Sequence, residues 1–144
     1  MEAGVVTIEL VPLATMRATL ATPFVLDGTP MGGRYIFEVG ELQVTGDRLN
    51  ATLKGRAAAD WLVVGPDGTG TLDVRMLLET HDGAAVFMQY NGRVDLASGA
   101  APITYTAPRF ETGDDRYRWL NKIQAIGKGE LEGDVLAYEL YELR

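Results

Sequence analysis

Thr71-Leu72-Asp73-Val74-Arg75-Met76-Leu77-Leu78-Glu79-Thr80 decides how this chain folds. Leu72, Val74, Met76 and Leu78 fall on one face of an extended strand, and Thr71, Asp73, Arg75, Leu77 and Glu79 on the other. Successive strand side chains point to opposite faces, so this is the alternation of a half-buried strand. The turn His81-Asp82-Gly83 leads into a neighbour of different character, with Val86, Met88 and Tyr90 on one face and Ala85 and Phe87 on the other. Residues 134–143 are also apolar on both sides, with Val135, Ala137 and Tyr141 against Leu136, Tyr138 and Leu140. A lone sheet with one wet face would waste those side chains. A closed barrel with a filled interior and a partly covered exterior uses them, and closure removes the sheet edges that invite aggregation.

Outward from this hairpin the same punctuation recurs. Gly65-Pro66-Asp67-Gly68 lies between runs rich in valine, leucine and threonine, and further breaks fall at Gly40, Gly46, Gly55, Ser98-Gly99, Gly127, Gly129 and Gly133. Short spacing between turn signals marks antiparallel hairpins. Strands are predicted near 5–20, 34–45, 47–56, 59–65, 69–80, 84–93, 102–107, 121–131 and 134–143, with one short helical segment near 114–121. No linker or repeat interrupts residues 1–144, so a single all-β domain is expected, a small closed antiparallel barrel, lipocalin-like in size. A covered exterior on so short a chain suggests a second copy of itself, a homodimer.

The balance of 13 basic and 20 acidic side chains, net −7, repels phosphate backbones and anionic lipid, so neither nucleic acid nor membrane is an expected partner. There are no cysteines, which excludes disulfides, thiolate metal sites and cysteine nucleophiles. The stretch MEAGVVTIELVPLATMRATL lacks the basic start and apolar run of a signal peptide, so the expected location is cytoplasmic. A single histidine, His81, cannot build the His-rich zinc or iron arrangements. Ser98 is the sole serine and sits in a turn far from any nucleophile-elbow pattern. No glycine-rich phosphate loop precedes a helix, and no cofactor is expected.

The segment Ala107-Pro-Arg-Phe-Glu-Thr-Gly-Asp-Asp-Arg-Tyr-Arg-Trp-Leu-Asn121 is the densest unusual stretch. With Ala59-Asp60-Trp61, Leu72-Asp-Val-Arg75 and the Asp82-Gly-Ala84 turn, it resembles the UPF0311 family, also called DUF3237. The likeness runs in order from about Met31 to the C-terminus. It implies a compact β-barrel of the kind found in bacteria and fungi, without a generally assigned activity. One departure is His81, where the family's turns often carry aspartate.

The side chains left for chemistry are carboxylates, arginine, tyrosine, tryptophan and asparagine, a set suited to proton transfer and enolate stabilisation. Glu111, between Phe110 and Thr112, is a candidate acid or base if the aromatic surface desolvates it, or a carboxylate that only bonds nearby backbone. Asp60 is the second candidate proton carrier. Arg75, two residues from Asp73 on one strand face, grips a substrate oxyanion if that face is the lumen; otherwise the two form an exterior ion pair. Asn121 orients a carbonyl or pins backbone. Trp61, Tyr90, Tyr117 and Trp119 are candidate pocket walls, or core and plug residues. Arg34 closes a loop, 21–30 followed by Met31-Gly-Gly, that could fold over a barrel mouth.

Three functions fit this toolkit. One is a cofactor-independent isomerase, cyclase or lyase acting on a small hydrophobic carbonyl or aromatic compound by acid–base catalysis. The second is a lipocalin-like carrier of a small apolar ligand, and the third an accessory barrel filled by its own side chains. Barrels of about eight strands accommodate either a filled interior or one small molecule.

Overall fold

The computed structural model describes residues 4–144. Ten strands run through them: β1 (Leu10–Leu20), β2 (Phe24–Thr29), β3 (Gly32–Thr45), β4 (Ala51–Val64), β5 (Thr69–Thr80), β6 (Ala85–Asp95), β7 (Ile103–Thr106), β8 (Arg109–Glu111), β9 (Ala125–Glu132) and β10 (Val135–Leu143). A 3-10 helix, Asp115–Lys122, separates β8 from β9. The strands are joined antiparallel in the order β1-β10-β9-β7-β6-β5-β4-β3, and β3 pairs back onto β1. The result is the closed eight-stranded all-β barrel expected from the sequence. β8 shares the flank of β6 with β7, and β2 runs alongside β3 as an edge hairpin.

The face that carries Leu72, Val74, Met76 and Leu78 points inward, joined by Val86, Met88 and Tyr90 of β6 and by Leu136, Tyr138 and Leu140 of β10. At one end the 3-10 helix closes the barrel, burying Tyr117 and Leu120. Asp114 starts that helix by accepting a hydrogen bond from the Arg116 amide at 2.9 Å. The opposite end carries the turns between β1 and β2, β4 and β5, β6 and β7, and β9 and β10. Half-buried Leu20, Tyr35, Phe37 and Val64 border the core toward that end. No helix among the described residues is long and apolar enough to cross a membrane.

Several boundaries differ from the sequence reading. The first strand begins at Leu10, not near residue 5. The predicted strands 47–56 and 59–65 are one fourteen-residue strand, β4, with Gly55 at φ +70° inside it. A glycine there lets the strand bulge, and its register to β5 shifts between Leu53 and Ala58. Residues 21–30, read as a loop, contain β2, so Met31-Gly32-Gly33-Arg34 is the turn and first residues of a hairpin, not a lid. β9 starts at Ala125, because residues expected to extend it belong to the helix.

Candidate active site

Asp60 lies on β4 in phase with Ala58 and Leu62, both buried, and stands opposite Phe37 of β3 and Val74 of β5. A strand side chain in that phase points into the barrel. Burial disfavours its charged form and raises its pKa from 3.8 to about 6; an accepted bond from the Asp73 amide at 3.1 Å works against the rise, and the Asp73 carboxylate adds to it. No arginine or lysine forms an ion pair with it among the described residues.

Two tyrosines share the interior with Asp60. The rings of Tyr90 and Tyr138 meet edge to face with centroids 5.9 Å apart. Burial holds both phenols well above their ordinary pKa, and the nearby Asp60 charge raises them further. Both therefore stay protonated at neutral pH. The Tyr138 hydroxyl is buried and makes no hydrogen bond of normal geometry, although the Tyr90 hydroxyl lies close enough to act on its titration, and the buried Thr106 hydroxyl also lacks a partner. Unsatisfied buried hydroxyls are uncommon, since each forfeits its bonds to water. Room for the Tyr138 ring comes from Gly129, its direct partner on β9: a Cβ at that glycine would stand 2.5 Å from the ring. The interior of this half thus combines apolar core side chains with one carboxyl group whose pKa is raised to about 6 and phenols that remain donors.

Of the residues singled out from the sequence, the fold brings Asp60 and Tyr90 together here. Trp61, Asp73 and Arg75 occupy the opposite faces of the same two strands, outside the barrel wall. Trp61 and Arg75 line an external groove with Phe24, Ile36 and Glu38. Arg34 is also outside, half-buried, with its Nη1 donating to the Trp61 carbonyl at 2.8 Å. Glu111 is exposed at the end of β8, where it lines a second external groove with Phe87 and Asn121. Asn121 clasps Thr112 from both sides, donating to its carbonyl at 2.9 Å and accepting from its amide at 2.8 Å. Tyr117 is buried and donates to Asp82 at 2.8 Å, and Trp119 lies under the Arg48 guanidinium at 4.8 Å. These last residues hold the helix onto its end of the barrel.

Tyr138 and Phe37 were not singled out from the sequence. A signal for Tyr138 was present. Gly127 and Gly129 alternate on one face of β9, and small residues there make space for a large side chain on the neighbouring strand.

A closed eight-stranded antiparallel barrel with a raised-pKa carboxyl group beside two buried phenols defines the class, a small all-β barrel. The chain belongs to the DUF3237 family, "Protein of unknown function (DUF3237)", whose pattern matches residues 8–143. It is similar to the Hydroalkoxylation enzyme phnH of Penicillium herquei, 29% identical over 107 residues, 67% of this chain and 64% of that protein. The aligned region is thus just under two thirds of that relative's length. It also matches the UPF0311 protein blr7842 of Bradyrhizobium diazoefficiens, 25% identical over 142 residues, 90% of this chain and 92% of that one. Among solved structures, a β-barrel-like protein from Acinetobacter baumannii AYE superposes with a TM-score of 0.88 at 28% identity. That superposition covers 99% of this chain and all of the other.

Proposed function

We propose that this protein is an enzyme that performs acid–base chemistry on a small, largely apolar aromatic or carbonyl compound held in the barrel beside Asp60. The observation that carries the reading is the pairing of a half-buried carboxyl group of pKa about 6 with the buried hydroxyls of Tyr90 and Tyr138. A carboxyl group poised near neutral pH both accepts and returns a proton efficiently. A buried phenol fixed in the barrel is placed to donate to an oxygen that gains negative charge. The relative named for hydroalkoxylation supports the same type of reaction, the addition of an O–H group across a carbon–carbon double bond.

For a hydroxyl compound with a double bond conjugated to a carbonyl, the steps balance without redox change. Asp60 takes the hydroxyl proton as the oxygen adds to the β-carbon. The π electrons move onto the carbonyl oxygen, which Tyr138 and Tyr90 hold as an enolate. Asp60 then returns the proton to the α-carbon, and one C–O and one C–H bond replace an O–H bond and a π bond. Apolar surroundings strengthen each of these interactions.

The test uses 2′-hydroxychalcone and 2-allylphenol as probes, following ring closure by absorbance and product analysis for wild type and Asp60→Asn. Wild type should accelerate closure of the conjugated probe, with Asp60→Asn slower by roughly 10²–10³-fold. A thermal shift for both proteins without turnover in either would support the carrier reading instead. Equal turnover by both proteins would remove Asp60 from the mechanism.

A further inference from the structure

The ladder between β4 and β5 is interrupted beside Asp60. Its pairs run through Ala58↔Met76, Ala59↔Arg75 and Asp60↔Val74, then resume at Val63↔Thr71 and Val64↔Gly70. In the same register Trp61 would face Asp73, and opposed residues of an antiparallel pair ordinarily exchange their N–H and C=O groups. Here side chains take those groups instead. The Trp61 carbonyl accepts from Arg34 Nη1 at 2.8 Å, and the Asp73 amide donates to Asp60 Oδ1 at 3.1 Å. Arg34 comes from β3, where its backbone pairs with Val63, two residues along from Trp61. Its guanidinium therefore crosses the outer surface of β4 to reach the seam.

We propose that Arg34 is a positioning residue for Asp60: by occupying the Trp61 carbonyl it keeps the seam open and leaves the Asp73 amide to the Asp60 carboxylate. A hydrogen bond from a charged donor is roughly twice as strong as one between neutral groups, so the guanidinium outcompetes the Asp73 amide for that carbonyl. The displaced amide donates instead to the Asp60 carboxylate on the inner face. Arg34 thus acts across the wall of the barrel without touching the interior. With Oδ1 tied to the strand, the second oxygen of Asp60 is the one left for a ligand. This inference rests on the proposed catalytic role of Asp60, and the two fail separately.

Burial and the Asp73 amide and carboxylate from β5 act on Asp60, and Asp60 in turn faces Tyr90 from β6 and Tyr138 from β10, whose phenols its charge raises. Only the amide favours its charged form. Losing that bond pushes the Asp60 titration upward. The experiment follows, by NMR in the full chain, the carboxyl carbon of Asp60 and the amide of Asp73 against pH in wild type, Arg34→Met and Arg34→Lys. In wild type the Asp73 amide should titrate in step with Asp60. In Arg34→Met the amide should stop tracking Asp60, and the Asp60 midpoint should rise by about one pH unit. Arg34→Lys keeps a charged donor and should fall between the two, which also covers the case in which Arg34→Met does not fold. An unchanged Asp60 midpoint and an Asp73 amide that still tracks it would overturn the proposal. A shifted midpoint, together with full turnover by Asp60→Asn, would leave Arg34 as a positioning residue and sink the catalytic reading alone.

Discussion

Asp60, half-buried, and Glu142, buried, are carboxylates at opposite ends of one barrel, and their surroundings treat them in opposite ways. Glu142, 5% exposed on β10, receives Arg48 Nη1 at 2.8 Å and Arg144 Nε at 2.6 Å. Those two bonds hold its carboxyl below the ordinary range despite burial. Asp60 has a single backbone amide and no cation, and burial drives its carboxyl up. Near the helix the charged and polar groups close onto neighbours, Arg116 onto Asp114 and Asp82, Tyr117 onto Asp82, and Asn121 onto Thr112. In the interior beside Asp60 the buried Tyr138 hydroxyl makes no hydrogen bond of normal geometry. The satisfied end is built to hold, and the unsatisfied one is where a ligand would gain most by binding.

The sharpest way to break this comparison is to neutralise Asp60 and follow stability against pH. Its ordinary pKa is 3.8 and its folded value about 6, so the neutral form is the one the fold prefers. That preference favours folding fully below about pH 4 and is lost as pH rises through 6. A difference of about two units corresponds to roughly 3 kcal/mol. Asp60→Asn should therefore be more stable than wild type by up to roughly 3 kcal/mol at about pH 8, and nearly equal to it at about pH 3.5. Urea unfolding at the two pH values measures this directly. A destabilised Asp60→Asn at the higher pH would mean that the carboxylate is held by more than the Asp73 amide.

Glu142→Ala tests the other side and should have the opposite sign. Glu142 binds protons less readily in the folded state, so its contribution is present at neutral pH and is lost as pH falls through its depressed folded pKa. Removing it leaves Arg48 and Arg144 facing each other, although both reach water, with side chains 34% and 56% exposed. The expected loss is about 1–3 kcal/mol at neutral pH, the worth of hydrogen bonds to a charged group. Thermal melts at neutral and strongly acid pH should show the loss only in the first. A loss of equal size at both would assign Glu142 a packing role.

The contrast between these two ends was only partly legible in the chain. Alternation in residues 71–80 and in the neighbouring runs carries the barrel, because period-two burial is a local pattern. β2 was hidden: Phe24, Val25 and Leu26 are flanked by Pro23 and Pro30, which read as loop, and an edge strand has few partners to demand a pattern. Gly55 read as the end of a strand because a bulge and a turn call for the same residue. Asp60 could be placed inside by counting from Ala58 and Leu62, yet the open seam beside it depends on Arg34 from another strand, which no local spacing reveals. The Phe110-Glu111-Thr112-Gly113 block drew attention through its density, and in the fold it serves the docking of the 3-10 helix through Asn121.

The smallest expected effect concerns Arg75, whose strand neighbours Val74 and Met76 point inward while it points out. It stands beside Ala59 and Gln89 in the ladders and forms no ion pair with Asp73 among the described residues. A surface residue of this kind contributes within about 0.5 kcal/mol. Arg75→Ala should unfold at the same urea concentration as wild type, and its turnover of any compound accepted by the barrel interior should be unchanged. A selective loss of ligand affinity in Arg75→Ala, with stability intact, would move the binding surface from the barrel interior to the groove between Trp61 and Phe24. Asp60 would then have no part in the chemistry.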